Sequence, residues 1–290
     1  MIIVTGASGQ LGRRIVEKLL ARVSPEQVGV TLRDVRNARE LGKLGVRVRQ
    51  ADYADPSSLA PAWQGASQLL LVSSNADAYG GDALAQHRSA IAAAKSAGVR
   101  RVIYTSQMAA DPASVFQPAR VHAATEAMLA SSGLRWTSLR NGFYAASALA
   151  ILKPALANGT LDILADGKIA WTSHDDLAEA AAAVLADEGR FEGPTPVLTA
   201  GETLGFSDLC TIASELLGRP IRSQLISEET FRASLQKFEV PATRVEIFIS
   251  LYRASQRGEF DKTDPTLAQL IGRAPKTMRA ILAEELGGGA

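Results

Sequence analysis

An apolar run, Ile2-Ile3-Val4-Thr5, leads straight into Gly6-Ala7-Ser8-Gly9-Gln10-Leu11-Gly12, and a helical pattern starts inside that turn. Leu11, Ile15, Val16, Leu19 and Leu20 recur at helical spacing and leave Arg13, Arg14, Glu17 and Lys18 outward, as a helix lying on a sheet requires. Strand, glycine turn and helix in that order open a βαβ unit. Glycines at the first, fourth and seventh positions of the turn let the backbone bend tightly and approach a pyrophosphate. The last one lets helix and strand pack closely, and the free N–H groups of the helix start favour an anion. Gly6, Gly9 and Gly12 are therefore read as a dinucleotide cradle to which Ser8 adds a hydroxyl donor. The alternative is an ordinary glycine-rich connection.

The alternation continues. Short β-rich runs at Ile2–Thr5, Gln27–Leu32, Val46–Gln50, Gln68–Val72, Arg101–Thr105 and Arg135–Leu139 are separated by helical stretches. This order predicts an α/β fold, a Rossmann-type doubly wound parallel sheet. The segment Asp82–Ala97 repeats the amphipathic logic with Leu84, Ile91 and Ala94 inward, and Gly98 stops it. Beyond Leu139, Pro154, Gly159, Gly167, Gly193, Pro194, Pro196, Gly201 and Gly205 break the pattern. Helical stretches at Asp175–Ala186, Phe206–Leu217, Glu228–Phe238, Thr243–Arg257 and Lys276–Leu286 then predict a smaller, mostly helical C-terminal lobe. The division is drawn at 1–140 for the Rossmann domain and 141–290 for the lobe, some of whose segments return to the sheet. Gly287–Ala290 reads as a frayed tail.

Among 290 residues, 31 basic and 30 acidic side chains leave a net charge of +1 with no block of one sign, which argues against a nucleic-acid footprint or a polybasic membrane anchor. A single cysteine, Cys210, allows no internal disulfide, and His87, His122 and His174 are scattered, so no metal site is expected. The start of the chain carries no basic region before its apolar run, and no apolar stretch reaches membrane-spanning length. A reducing cytoplasm is the expected location. An exposed helix face and a buried interface read alike, which leaves monomer and homodimer both open.

The residue after the second strand selects between coenzymes. Arg33 follows Leu32 directly, and a guanidinium there can grip a 2′-phosphate with two parallel donors. NADPH is favoured over NADH. Asp34 could cap the next helix or engage a ribose hydroxyl instead. Asp52-Tyr53 reads either as an adenine-side turn or as an exposed acidic loop, and Val72-Ser73-Ser74 ends the fourth strand, so that Ser73 and Ser74 border the coenzyme with small polar contacts.

Dehydrogenases and epimerases of the short-chain type usually need a tyrosine and a lysine one helical turn apart, the ammonium lowering the phenol's pKa. Four positions after Tyr53, Tyr79, Tyr104, Tyr144 and Tyr252 stand Ser57, Ala83, Met108, Ala148 and Gln256, and no lysine occurs between Lys95 and Lys153. What remains near the expected reaction site is His122, four residues before Glu126 on one helix face. The pair is either a substrate-side donor steadied by a carboxylate or a surface pair. Tyr104, Thr105, Ser106, Gln107, Asn141, Gly142, Phe143 and Tyr144 come from the ends of the fifth and sixth strands, where a nicotinamide would lie. Arg140-Asn141-Gly142 is read as a turn, which makes Asn141 and Tyr144 the better site residues, whereas Tyr104 reads as half core.

Together, the glycine turn, Arg33, the absent Tyr–Lys pair and Leu139-Arg140-Asn141-Gly142-Phe143-Tyr144 resemble the NmrA-like group of atypical short-chain dehydrogenase/reductases. Within it the likeness is greatest to the branch of NADPH:quinone oxidoreductase type 2 and triphenylmethane-dye reductase. Val48-Arg49-Gln50-Ala51-Asp52-Tyr53, Gln86-His87-Arg88, Ala94-Lys95-Ser96-Ala97-Gly98-Val99, Tyr104-Thr105-Ser106 and Leu270-Ile271-Gly272 are also similar to it. The resemblance implies NADPH in a cleft between a Rossmann domain and a C-terminal lobe, and hydride transfer to a quinone-like or dye-like acceptor. It puts Gly6, Gly9, Gln10, Leu11, Gly12, Arg33 and the Ser73 region on the coenzyme and has Asn141–Tyr144 line the cleft. The chain departs from dye-reductase members at Gln107–Phe116 and at Trp171, a large residue expected near the pocket. A quinone needs no strong general acid, so Asn141, Tyr144 and His122 need only offer hydrogen bonds to the developing oxyanion. The rival reading is a non-catalytic NADP-binding redox sensor acting through a protein partner. A nucleotide-sugar epimerase is disfavoured by the missing Tyr–Lys pair.

Overall fold

The computed structural model describes residues 1–287. The first half runs β1 (Ile2–Thr5), α1 (Gln10–Leu20), β2 (Val28–Leu32), α2 (Arg39–Lys43), β3 (Arg47–Gln50), α3 (Leu59–Trp63), β4 (Gln68–Leu71), α4 (Ala83–Ser96), β5 (Arg101–Gln107), α5 (Gln117–Ser131) and β6 (Arg135–Asn141). The second runs β7 (Phe143–Tyr144), α6 (Ala145–Asn158), β8 (Thr160–Ile163), β9 (Trp171–Thr172), α7 (His174–Ala186), β10 (Gly193–Pro194), α8 (Phe206–Leu217), β11 (Arg222–Leu225), α9 (Glu228–Gln236), α10 (Ala242–Gln256), α11 (Thr266–Ile271) and α12 (Met278–Gly287). The expected tail begins at Gly287, which closes α12; residues 288–290 lie outside the described part.

Seven strands form one sheet in the order β10-β6-β5-β4-β1-β2-β3, every pair parallel. A parallel sheet is covered on both faces, and β1, β2 and β4 are accordingly buried along their whole length. The chain reverses its direction of winding between β1 and β4, and a ligand crevice belongs at that switch point, outside the carboxyl ends of the strands. On one face α1 and α7 share a core with β1 and β2 through Ile15, Val16, Leu19, Leu177, Ala181 and Val184. On the other, α3, α4 and α5 bury Leu59, Trp63, Ala90, Ala94 and Leu129. Helices α6, α8, α9, α10 and α12 enclose a separate core around Trp171, Phe206, Tyr252 and Phe260.

Residue 140 divides the chain in order but not in packing. The alanine-rich α7, with every residue of 176–185 but Glu179 buried, lies against α1, while β10 pairs with β6 and α11 packs on α7. Arg101 anchors that return. It is fully buried, and its guanidinium donates to Gln68 Oε1 at 3.2 Å, Thr137 Oγ1 at 2.9 Å, and the carbonyls of Val184 and Phe191.

Three expectations about the elements need correction. Pro154 does not end a segment: it sits inside α6, which continues to Asn158. Leu84 is only partly buried, and α4 turns Ala83, His87, Ala90, Ile91 and Ala94 inward. Arg140-Asn141-Gly142 is not a turn, because β6 runs through Asn141 and continues almost directly into β7. Gly98 does stop α4, in the left-handed region at φ 75°.

Candidate active site

A cavity of about 1260 Å³ lies across the carboxyl ends of the strands, from the glycine turn after β1 to α10 of the lobe. Its first end is built from backbone. Gly6 has φ 59°, a left-handed value that favours glycine, and Gly9 N–H donates to Gly6 O at 2.9 Å. At Gly12 a Cβ would stand 2.4 Å from Gly6 O, so only glycine allows α1 to start this close to the turn. No side chain caps α1, and its first turn carries no acidic residue, which leaves its first N–H groups free for an anion. Ser8, Gln10 and Leu11 line the same end.

Arg33 lines the cavity beyond the turn. Asp34 does not compete for a ribose hydroxyl: its carboxylate accepts from Arg36 N–H at 3.0 Å and pairs with Arg36 Nη2 at 2.7 Å, capping the short helical turn that follows. The Arg36 guanidinium holds its pKa below the usual carboxylate value. The switch point is closed by a chain of hydroxyls. Val72 N–H donates to Thr5 Oγ1 at 2.8 Å, Thr5 Oγ1 meets Tyr53 Oη at 2.6 Å, and Tyr53 donates to Val72 O at 2.9 Å.

Ser73 and Ser74 form the middle of the wall. Ser73 N–H donates to Thr105 Oγ1 at 2.8 Å and Ser74 N–H to His87 Nε2 at 2.8 Å. Because His87 accepts at Nε2, its proton is on Nδ1, which meets Thr125 Oγ1 at 2.9 Å; burial keeps the ring neutral, with a pKa near 3. Thr105 is thus a support for Ser73 and does not line the cavity, which corrects its assignment as a coenzyme contact. The same correction applies to Tyr104. It is fully buried, and its hydroxyl meets His122 Nδ1 at 2.8 Å. With Tyr104 as the donor of this bond, the His122 proton resides on Nε2. His122 lines the cavity, and burial lowers its pKa to about 4.

Glu126 neither steadies His122 nor lies at the surface. Its buried carboxylate accepts from Ser106 Oγ and Ser138 Oγ, each at 2.8 Å, and forms an ion pair with Arg140 Nη2 at 2.7 Å. These partners, from β5 and β6, commit the carboxylate across the sheet rather than along its own helix. Ser106 and Gln107 face the cavity in front of it.

Asn141, Gly142, Phe143 and Tyr144 all line the cavity. A Cβ on Gly142 would meet Thr172 Oγ1 at 2.2 Å, so β6 passes to β7 tight against β9. The Tyr144 ring packs against His174, tilted by 40° with centroids 4.4 Å apart. Burial pushes the Tyr144 phenol up, with the Asn141 amide beside it acting the other way, and burial lowers His174 to about 4. Phe143 packs on Phe116, Phe260 and Trp171. Trp171 is not a cavity residue: it is 1% exposed and donates its indole N–H to Leu204 O at 2.9 Å.

Sequence reasoning missed His174, Phe116, the 75–79 segment, Arg244 and Ile247, all of which line the cavity. Asp82 capping α4 was a usable local signal for where that wall turns. Nothing local marked Arg244 and Ile247, brought in by α10 from the far lobe. No group of three or more His, Cys, Asp or Glu residues that could hold a metal lies together among the described residues, and none of their helices is long and apolar enough to cross a membrane.

A parallel sheet wound in this order, with a glycine cradle and a deep crevice at its switch point, defines a dinucleotide-binding α/β protein. The model of the NmrA-like family matches residues 1–281, and the chain belongs to that family. It is 38% identical over 280 residues to Quinone oxidoreductase 2 of Escherichia coli strain K12, covering 96% of each chain. Among solved structures, the NADPH complex of the Escherichia coli NADPH-dependent quinone oxidoreductase superposes with a TM-score of 0.91 at 35% identity, over 99% of this chain and 100% of that one. The NADP(H) complex of Citrobacter sp. triphenylmethane reductase gives a TM-score of 0.88 at 32% identity, over 98% and 99%.

Proposed function

We propose that this protein, an NAD(P)H-dependent oxidoreductase, uses NADPH to reduce a quinone or similarly conjugated acceptor. One observation carries the reading. A single cavity joins an uncapped, glycine-lined helix start and Arg33 at one end to the hydrogen-bonding side chains of Ser106, Gln107, His122, Asn141 and Tyr144 at the other. The residues fit the coenzyme: the first-turn N–H groups of α1 and Ser8 would hold its pyrophosphate and Arg33 its 2′-phosphate. Relatives whose structures hold NADPH or NADP(H) support that choice.

NADPH supplies the hydride when bound. The chain's own task is to hold a flat acceptor beside the nicotinamide, exclude water and stabilise the oxygen that gains charge. Phe116, Val121, Phe143, Ala146, Ala150 and Ile247 give apolar contact. The Tyr144 hydroxyl and the Nε2–H of His122 act as neutral donors to the acceptor oxygen. Neither has to deliver its proton, since a hydroquinone anion leaving the site takes one from water. The site therefore works without a Tyr–Lys pair.

The test is loss of NADPH absorbance with purified protein against a panel of simple quinones, triphenylmethane dyes and disulfides. Steady oxidation with quinones supports the enzyme. Tight NADPH binding without turnover across the panel contradicts it and favours the sensor reading.

A further inference from the structure

Two buried polar atoms in the cavity wall have no hydrogen-bond partner among the described residues: Nε2 of Gln107 and Oδ1 of Asn141. They are opposite in kind, one a donor and one an acceptor. They also share a position, because Gln107 pairs in register with Asn141 where β5 lies beside β6, and residues in register project to the same face of a sheet. The Gln107 amide is oriented by the Ala109 N–H, which donates to its Oε1 at 2.7 Å and leaves the NH2 over. Asn141 is 2% exposed and its backbone carbonyl is taken by Met108 N–H at 2.8 Å. Desolvated groups of this kind are rarely left single, and a wall that keeps both is complementary to a ligand offering the reverse pair.

We propose that Gln107 and Asn141 clamp a primary carboxamide, that of the coenzyme's nicotinamide. Asn141 Oδ1 accepts from the amide NH2, and Gln107 Nε2 donates to the amide carbonyl. A quinone carries acceptors but no donor and leaves Asn141 Oδ1 unpaired, and a carboxylate does the same. The clamp rests on the reading of the cavity as a coenzyme site. It moves Asn141 from the acceptor side of the reaction to the coenzyme side, where it fixes the rotation of the ring that donates hydride.

Calorimetric titration of the protein with NADP+ and with its acetylpyridine analogue, in which a methyl group replaces the amide NH2, separates the two atoms. Wild type is expected to bind the analogue about tenfold more weakly. Asn141→Leu weakens NADP+ by a similar factor and brings the two affinities together. Gln107→Met weakens both ligands alike, because both keep the carbonyl, and preserves the wild-type ratio. Equal affinity of wild type for the two ligands, or an Asn141→Leu protein that keeps the wild-type ratio, overturns the clamp. A purely structural Asn141 would lower the melting temperature and leave the ratio untouched. Should Asn141→Leu not fold, the wild-type ratio and Gln107→Met still decide. Absence of binding by either nucleotide removes the coenzyme reading itself, and the clamp with it.

Discussion

The two ends of the cavity are made in different ways. At the phosphate end the ligand surface is backbone, set by Gly6, Gly9 and Gly12 within one short turn. At the reaction end it is side chains from β5, β6, β7, α5, α7 and α10, among which Ser106, His122 and Tyr144 are held by partners distant in sequence. Local geometry makes the first end intolerant of an added atom at Gly12. Buried polar pairing makes the second end sensitive to the loss of one.

The sharpest contrast is within the glycine turn. Gly12→Ala puts a methyl 2.4 Å from a backbone oxygen and is expected to weaken NADPH binding about a hundredfold or more and to destabilise the fold. Gly9→Ala meets that oxygen only at 3.3 Å and is the milder control. Titration calorimetry and thermal melting check both, and equal effects would break the argument from close approach.

At the other end Glu126→Leu strips Arg140, Ser106 and Ser138 of their shared acceptor and is expected to cost about 3 kcal/mol of stability in denaturant unfolding. A neutral result would mean that the network relaxes. Arg33→Glu is expected to weaken NADPH by about tenfold or more while leaving NADH much less affected. Equal losses would contradict the assignment of Arg33 to the 2′-phosphate.

Smaller effects belong to the histidines. His122 titrates near 4 and the Tyr144 phenol is pushed up, so quinone turnover is expected to stay flat between about pH 5 and 9. In Tyr104→Phe the neutral ring loses its donor at Nδ1, and turnover is expected to fall a few-fold and gain an acid limb; a profile identical to wild type would show that Tyr104 only fills space. His87, His122 and His174 all have folded pKa values depressed from 6.5, to about 3, 4 and 4, so they contribute stability fully above about pH 6.5 and lose it as the pH falls toward 4. Thermal melts across that window check the sign.

This contrast also explains what could be read from the sequence. The first six strands, α1 and the glycine turn follow from periodicity and from residues adjacent in the chain. The seventh strand, Gly193–Pro194, is too short to carry a pattern, and α6 was hidden by Pro154. Asn141 and Tyr144 could be placed from the end of a strand. The partner of Glu126 could not, because helical spacing pointed to His122 while sheet register brought Arg140, Ser106 and Ser138 to the carboxylate. Tyr104 and Thr105 were hidden for the same reason: Tyr104, on the same sheet face as Ser106, is covered by His87 and His122, whereas Thr105, on the opposite face, is taken up by the Ser73 N–H.

The central claim, that this cavity holds NADPH through the turn after β1 and through Arg33, is tested most directly by titrating the purified protein with NADPH and with NADH in a calorimeter. The account requires saturable binding of NADPH, about tenfold or more tighter than NADH. Absence of heat from both, or tighter binding of NADH, contradicts it.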